Sequence, residues 1–298
     1  MSIFVGSGVA LVTPFDKSGN VDYEKLGELL EFHVENKTDA IVIVGTTGEA
    51  STMTESEKLS VIKYTVEKID KRIPVIAGTG SNCTAGALDF SKKVEKLGVD
   101  GFLVVTPYYN KGNERGIYEH YKMIAENVNL PIILYNVPGR TGVNLSVSLV
   151  KKLAQLKNVV AIKEASGNIS YAAEIARLVP ELDIYSGNDD MTVPILSLGG
   201  KGVISVSANI IPEVIHDMVM AFLNDNPKEA CRLQLGYNEL SNGMFIETNP
   251  VPVKEAMNYL GYEVGGCRLP LGEMYEENIS KLHSIIAVSY THLTLPTT

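Results

Sequence analysis

A lysine that closes a run of four apolar residues, Val159-Val160-Ala161-Ile162-Lys163, has the setting that bears most directly on chemistry in this chain. An amine at the end of a buried strand must lose hydration, shift its pKa or find a partner. Burial lowers an ammonium pKa and brings the neutral, nucleophilic form within reach of neutral pH, which is what a Schiff-base lysine needs. The competing account is a structural lysine paired with Glu164 or another carboxylate. Tyr135 ends the neighbouring run, where a phenol either shuttles protons during carbinolamine formation and dehydration or fills the core with its hydroxyl satisfied. Thr46 and Thr47 lie in a glycine-flanked Gly45-Thr46-Thr47-Gly48 turn, whose hydroxyls and N–H groups suit a carboxylate or a proton relay. Arg140, in Pro138-Gly139-Arg140-Thr141-Gly142, is either a bidentate carboxylate ligand or a solvated surface arginine.

The elements that would position these residues show in the hydropathy pattern. Short β-branched runs recur at 8–12, 40–44, 74–78, 101–105, 132–136, 159–164, 184–187 and 202–205. They are nearly continuous in apolar residues, as strands covered on both faces are. Between them lie segments of helical spacing, such as Leu26, Leu29, Leu30 and His33, opened by caps such as Thr54 with Glu57 three residues on. Eight strand–helix units within about 220 residues predict a (β/α)8 TIM barrel, with a doubly wound open sheet as the alternative. In such a barrel the chemistry sits at the C-terminal strand ends, where Thr46, Tyr109, Tyr135, Lys163 and Gly187 all fall at or just after a run. Beyond Ile211 the pattern is helical only, which predicts a barrel over 1–224, a C-terminal helical appendage over 225–288 and a disordered or vector-derived tail over 289–298, where threonine and proline disfavour helix.

Composition narrows the function. With 45% hydrophobic and 20% charged residues and a net charge of −9 without a basic face, the chain is not expected to bind nucleic acid or a membrane surface. No stretch approaches the ~20 apolar residues of a bilayer span, and residues 1–12 lack the basic start of a secretion signal. Cys83, Cys231 and Cys267 are odd in number and widely spaced, which points to a reducing, cytoplasmic setting. The five histidines are scattered, none ends a strand, and no P-loop or dinucleotide fingerprint appears, so neither a metal nor a cofactor is expected.

Five segments then stand together: Gly45-Thr46-Thr47-Gly48-Glu49, Val105-Thr106-Pro107-Tyr108-Tyr109-Asn110, Tyr135-Asn136-Val137-Pro138-Gly139-Arg140-Thr141-Gly142, Ile162-Lys163-Glu164 and Gly202-Val203-Ile204-Ser205-Val206. In this order, from about Gly6 to Leu271, the chain closely resembles the dihydrodipicolinate synthases within the larger family of N-acetylneuraminate lyases. The resemblance implies a class I aldolase-type lyase of the diaminopimelate and lysine route that binds pyruvate as an imine on Lys163 and condenses it with L-aspartate 4-semialdehyde. It implies a proton relay of Thr46, Tyr135 and Tyr109, the last reaching in from a neighbouring subunit. Thr47 would hold the pyruvate carboxylate and Arg140 that of the semialdehyde, with the carbonyls of Gly187 and Ile204 facing the lysine. A homotetramer built from two dimers is implied as well.

Arg140 and Thr46 separate the chain from the sialic acid lyases, which stay as the alternative together with 2-keto-3-deoxy-sugar aldolases. A non-catalytic barrel is opposed by the joint presence of Lys163, Tyr135, Thr46 and Arg140. Two departures stand out. Members inhibited by lysine carry a carboxylate where this chain has Gly86 and a histidine where it has Glu55, although Asn82 and Tyr108 are kept, so lysine inhibition is expected to be weak or absent. Gly112-Asn113 stands where the family usually has a proline.

Overall fold

The apolar runs become strands because each is covered on both sides, by helices outside and by the other strands' side chains inside. The computed structural model describes residues 2–294, with side chains through Ser289. The strands are β1 (Gly6–Ala10), β2 (Ala40–Ile43), β3 (Val75–Gly78), β4 (Gly101–Val105), β5 (Ile132–Asn136), β6 (Val159–Glu164), β7 (Asp183–Ser186) and β8 (Gly202–Ser205). They close in sequence order as a parallel barrel, with β1 pairing β8 from Gly6↔Gly202 to Val9↔Ser205. The closure excludes the open sheet. β1 ends two residues before the predicted 12 because the Val12 N–H is taken by the Asn209 side chain at 3.2 Å instead of by a strand.

Alternation along the strands divides the core. Ala10, Val42, Ile76, Leu103, Ile133, Tyr135, Ala161, Tyr185 and Ile204 fill the barrel interior, while a larger cluster packs the strands against the surrounding helices. At the N-terminal end the Phe4 ring stacks on Tyr185 with centroids 4.4 Å apart, and the Tyr185 hydroxyl donates to the Phe4 carbonyl at 2.6 Å. The barrel floor is thereby plugged.

The predicted cap on the helix Glu55–Ile69 is a full capping box: the Thr54 N–H donates to Glu57 Oε2 at 2.8 Å and the Glu57 N–H to Thr54 Oγ1 at 3.3 Å. After the helix Pro212–Leu223, further helices Pro227–Gly236, Asn238–Gly243, Val251–Tyr259 and Glu276–Thr294 form the C-terminal region. The last runs on to Thr294, past Ser289 where the sequence predicts it to give way, and the Ser289 hydroxyl bonds back to the Ile285 carbonyl at 2.9 Å within it. The remaining tail residues, 295–298, lie outside the described residues. No described helix is long and apolar enough to cross a membrane.

A buried ion pair ties this region to the barrel mouth. Lys254 and Glu49 are 2% and 1% exposed, with Nζ 2.8 Å from Oε1. Lys254 also donates to the Gly266 carbonyl at 2.8 Å, and the other Glu49 oxygen accepts the Arg268 N–H at 2.9 Å. Charges so placed persist because each is paired and further hydrogen-bonded, and the ammonium also lies 4.3 Å from the centroid of the Phe15 ring. Removing the cation alone by Lys254→Met leaves Glu49 buried and uncompensated and is expected to cost ~3–5 kcal/mol in equilibrium unfolding, while pairing it with Glu49→Leu recovers most of the loss. Equal losses in the single and double variants would refute this reading of the pair.

Candidate active site

β5, β6 and β7 pair at Tyr135, Lys163 and Tyr185, so all three side chains point into the barrel, and Tyr135 and Lys163 reach the pocket at its C-terminal end. The next residue in β6, Glu164, points outward, where it accepts from Asn136 Nδ2 at 2.8 Å and from the Ser166 N–H at 2.6 Å. The pairing of Lys163 with Glu164 is therefore not formed, and among the described residues Lys163 makes no ion pair. Its ammonium is 4.6 Å from the centroid of the Tyr135 ring, and the residue is 4% exposed. Burial drags the Lys163 pKa down to about 8, with Asp189 pulling it back up and the Arg140 charge lowering it further.

The surroundings are built to crowd this amine. A Cβ on Gly187 would lie 2.6 Å from Ala165 Cβ and 3.1 Å from Lys163 Cε, so only glycine lets the β7 end approach so closely. Asp189 is held behind it, its Oδ2 accepting the N–H groups of Val206 and Ser207 at 3.0 Å each. Burial raises the Tyr135 pKa, offset in part by the Arg140 charge and by a hydrogen bond with Thr46. The phenol is thereby kept protonated at neutral pH.

The threonine turn depends on strain. Val44, at the end of β2, has φ 55°, a left-handed conformation costly for a β-branched residue. Its carbonyl turns toward β3, where a Cβ on Gly78 would lie 2.3 Å from it. The chain after this kink forms a tight turn closed by Glu49 N–H to Thr46 O at 3.1 Å and Ala50 N–H to Gly45 O at 3.3 Å. Thr46 and Thr47 face the pocket from it.

Thr46, Thr47, Tyr135, Arg140, Lys163 and Gly187 line one pocket at the C-terminal end of the barrel. Arg140 reaches it from the short helix Pro138–Thr141. Ile204 lies deeper, its side chain fully buried in the barrel interior, and Val206 two residues on reaches the pocket wall instead. Tyr109 is elsewhere: it is 88% exposed, sits at φ 71° on the loop after β4 and does not line the pocket.

Asn249 and Phe245 line the pocket too, and no strand-end pattern pointed to them because they come from the C-terminal region. Asn249 Nδ2 donates to Thr47 Oγ1 at 3.0 Å, and its main-chain carbonyl accepts from Arg140 Nη2 at 2.8 Å. The pocket thus combines an amine near neutrality, a phenol with a hydroxyl partner for proton transfer, and a guanidinium and hydroxyl for carboxylates. Among the described residues no group of three or more histidines, cysteines and carboxylates is placed to hold a metal ion.

Comparison with known proteins finds relatives along nearly the whole chain. The model of the Dihydrodipicolinate synthetase family matches residues 3–289. A 4-hydroxy-tetrahydrodipicolinate synthase of Clostridium acetobutylicum is 58% identical over 283 residues, 95% of this chain and 96% of that one. One of Brachyspira hyodysenteriae is 54% identical over 286 residues, 96% of this chain and 98% of that one. The crystal structure of dihydrodipicolinate synthase from Aquifex aeolicus superposes with a TM-score of 0.94 at 44% identity, covering 99% of this chain and 100% of that one.

Because only the neutral amine attacks a carbonyl, the rate at which borohydride traps a small 2-oxo acid on Lys163 is expected to rise with pH through about 8. Asp189 raises the Lys163 pKa, so Asp189→Asn shifts the rise to lower pH. A midpoint near the ordinary lysine value, or one that Asp189→Asn moves upward, would contradict the electrostatics of this pocket.

Proposed function

The chain belongs to the dihydrodipicolinate synthetase family, and on that premise we propose how its pocket condenses pyruvate with L-aspartate 4-semialdehyde, the lyase reaction of 4-hydroxy-tetrahydrodipicolinate synthases on the route to diaminopimelate and lysine. The observation that carries the reading is an unpaired amine with a pKa near 8, buried against Tyr135 and facing two carboxylate-binding groups.

In the proposed sequence neutral Lys163 attacks the pyruvate ketone, whose carboxylate rests on Thr47. Tyr135, with Thr46, protonates the carbinolamine hydroxyl, which leaves as water, and the imine loses a methyl proton to become an enamine. The enamine carbon attacks the aldehyde of the second substrate, whose carboxylate Arg140 holds, and the new alkoxide takes a proton. The substrate's own amine then attacks the imine carbon, closes the ring and displaces Lys163. The carbonyls of Gly187 and Ile204 face the lysine in this reading, and the lysine itself supplies the electron sink.

Tyr109 takes its place in the relay only through a second copy of the chain. Its exposure and left-handed backbone on the β4 loop support donation to a neighbouring subunit, and we infer a homotetramer of paired dimers. The three free cysteines support a cytoplasmic enzyme. We place the catalytic barrel in 1–224 and the helical region in 225–288, which adds Phe245 and Asn249 to the pocket wall. In place of a carboxylate that would meet a lysine ammonium, Gly86 leaves space with only Cys83 near it, and Glu55 is engaged by Lys93 at 2.6 Å, which supports weak or absent inhibition by lysine.

Borohydride reduction with pyruvate is expected to leave a pyruvyl adduct on Lys163, and a coupled assay with aspartate semialdehyde to show turnover. Lys163→Ala abolishes both, and Tyr135→Phe lowers kcat by roughly 10²- to 10⁴-fold. An adduct without turnover would favour a sialic acid or keto-deoxy-sugar lyase, and no adduct would overturn the mechanism. Saturating lysine is expected to leave the rate unchanged; inhibition at sub-millimolar lysine would refute the inference from Gly86.

A further inference from the structure

On the outer face of the barrel, behind Tyr135 and Lys163, the ends of β5 and β6 are joined by a buried polar network. Asn136 pairs with Glu164 in the strand register, and both residues are buried. Glu164 Oε2 accepts from Asn136 Nδ2 at 2.8 Å and Oε1 from the Ser166 N–H at 2.6 Å. Asn136 Nδ2 also donates to Asn144 Oδ1 at 2.8 Å, and its Oδ1 accepts the Leu145 N–H at 3.1 Å. The Tyr171 hydroxyl closes the outer side by donating to the Leu145 carbonyl at 2.5 Å. Glu164 does not line the pocket, and no step of the condensation uses it.

The direction of every bond in this network is determined. The Leu145 N–H fixes the Asn136 amide with its NH₂ toward Glu164, so both Glu164 oxygens face donors and the ionised carboxylate is the form that satisfies them. A glutamine in the same place accepts from one of the two N–H groups and turns its own NH₂ against the other. Shape alone is therefore not what the position requires.

What the network grips is the pairing of two strands. The β5–β6 ladder is irregular at its start, where Ile132 faces Val159 but Ile133 faces Ala161, so that Val160 is passed over. A bulge admits a change of register, and a slip of one residue would turn Lys163 out of the barrel. The bond from Asn136 to Glu164 lies one pair beyond Tyr135↔Lys163, at the opposite end of the ladder from the irregularity. The Ser166 bond holds the turn that sets Ala165 in the pocket wall beside Gly187. We propose that Glu164 is a positioning residue for the condensation, which by holding Asn136 and Ser166 sets the register and spacing at which Tyr135 meets the Lys163 amine. This rests on Lys163 and Tyr135 as the reacting pair.

The test uses Glu164→Gln, which keeps the shape and misdirects one bond. Because proton transfer is lost with small displacements while Thr47, on the β2 turn, is untouched by the network, kcat is expected to fall roughly 10- to 100-fold with the pyruvate KM within a factor of about three. The pH midpoint of borohydride trapping on Lys163 moves less than in Asp189→Asn, since burial, Asp189 and Arg140 are what set it. Adding Asn136→Asp to Glu164→Gln exchanges donor and acceptor across the strands: the new carboxylate accepts from the Leu145 N–H and the new amide, whose oxygen keeps the Ser166 N–H. Asn144, which is exposed, can turn its own amide to donate. This double variant is expected to recover kcat to within a factor of about five of the unaltered enzyme, and it decides alone if Glu164→Gln does not fold. An unchanged kcat in Glu164→Gln, a loss confined to KM, a midpoint shift as large as that of Asp189→Asn, or no recovery in the double variant overturns the proposal. Failure of both variants to fold also overturns it, by making Glu164 a requirement of the fold. If the unaltered enzyme forms no adduct on Lys163, the reaction on which the proposal stands is what has failed.

Discussion

Hydration is what an ammonium group gives up most reluctantly, and the mouth of this barrel is arranged around one that has lost it. The strand alternation that turns Lys163 inward is the same that turns Glu164 outward, so the nearest carboxylate in sequence is the one that cannot neutralise it. The charged form is therefore paid for only at a distance, by Asp189 behind the β8 loop, and the amine stands near the balance point between its two forms. A closer anion would trap it as a cation; none at all would leave it neutral yet without an electrostatic handle on its pKa. Gly187 belongs to the same constraint, since a side chain there would push the lysine out of its enclosure.

The rest of the pocket is held by interactions that lie outside it. Val44 is forced into a left-handed conformation, and the room for its carbonyl is made on another strand by Gly78. The turn that follows is anchored through Glu49 to Lys254 and Arg268, residues of the C-terminal region. Asn249 makes the same connection from the pocket side, touching a threonine of the β2 turn and the arginine of the β5 loop. The helical region is thus a brace on the loops that carry the site.

The barrel was legible from residues such as Val159 to Ile162, because a strand covered on both faces has to be apolar throughout, and a repeated strand–helix alternation leaves few ways to close. Lys163, Tyr135, Thr46, Thr47 and Arg140 were legible because polar residues that end such runs are brought to one end of the barrel. Asn249 was not, since its neighbours in sequence have no periodic relation to the strands and its contacts lie 109 and 202 residues away. Strand ends slipped by a residue or two where a side chain replaced a ladder bond, as Asn209 does at Val12. The last helix outran its prediction on a segment whose Leu282, Ile285 and Ile286 are anchored in the core, and such packing outweighs the weak local propensity of the residues after them.

The stacked rings of Phe4 and Tyr185 give the barrel a closed floor, and a vessel with one opening imposes an order of traffic. In the proposed condensation, whatever reacts with the deeper amine must enter before the molecule that sits above it, and the water expelled from the carbinolamine must leave by the path the second reactant takes in. The ring product, released from that same amine, leaves by the way both reactants came. Sequence of events, which is usually treated as a kinetic property, is here a property of a corridor with a single door.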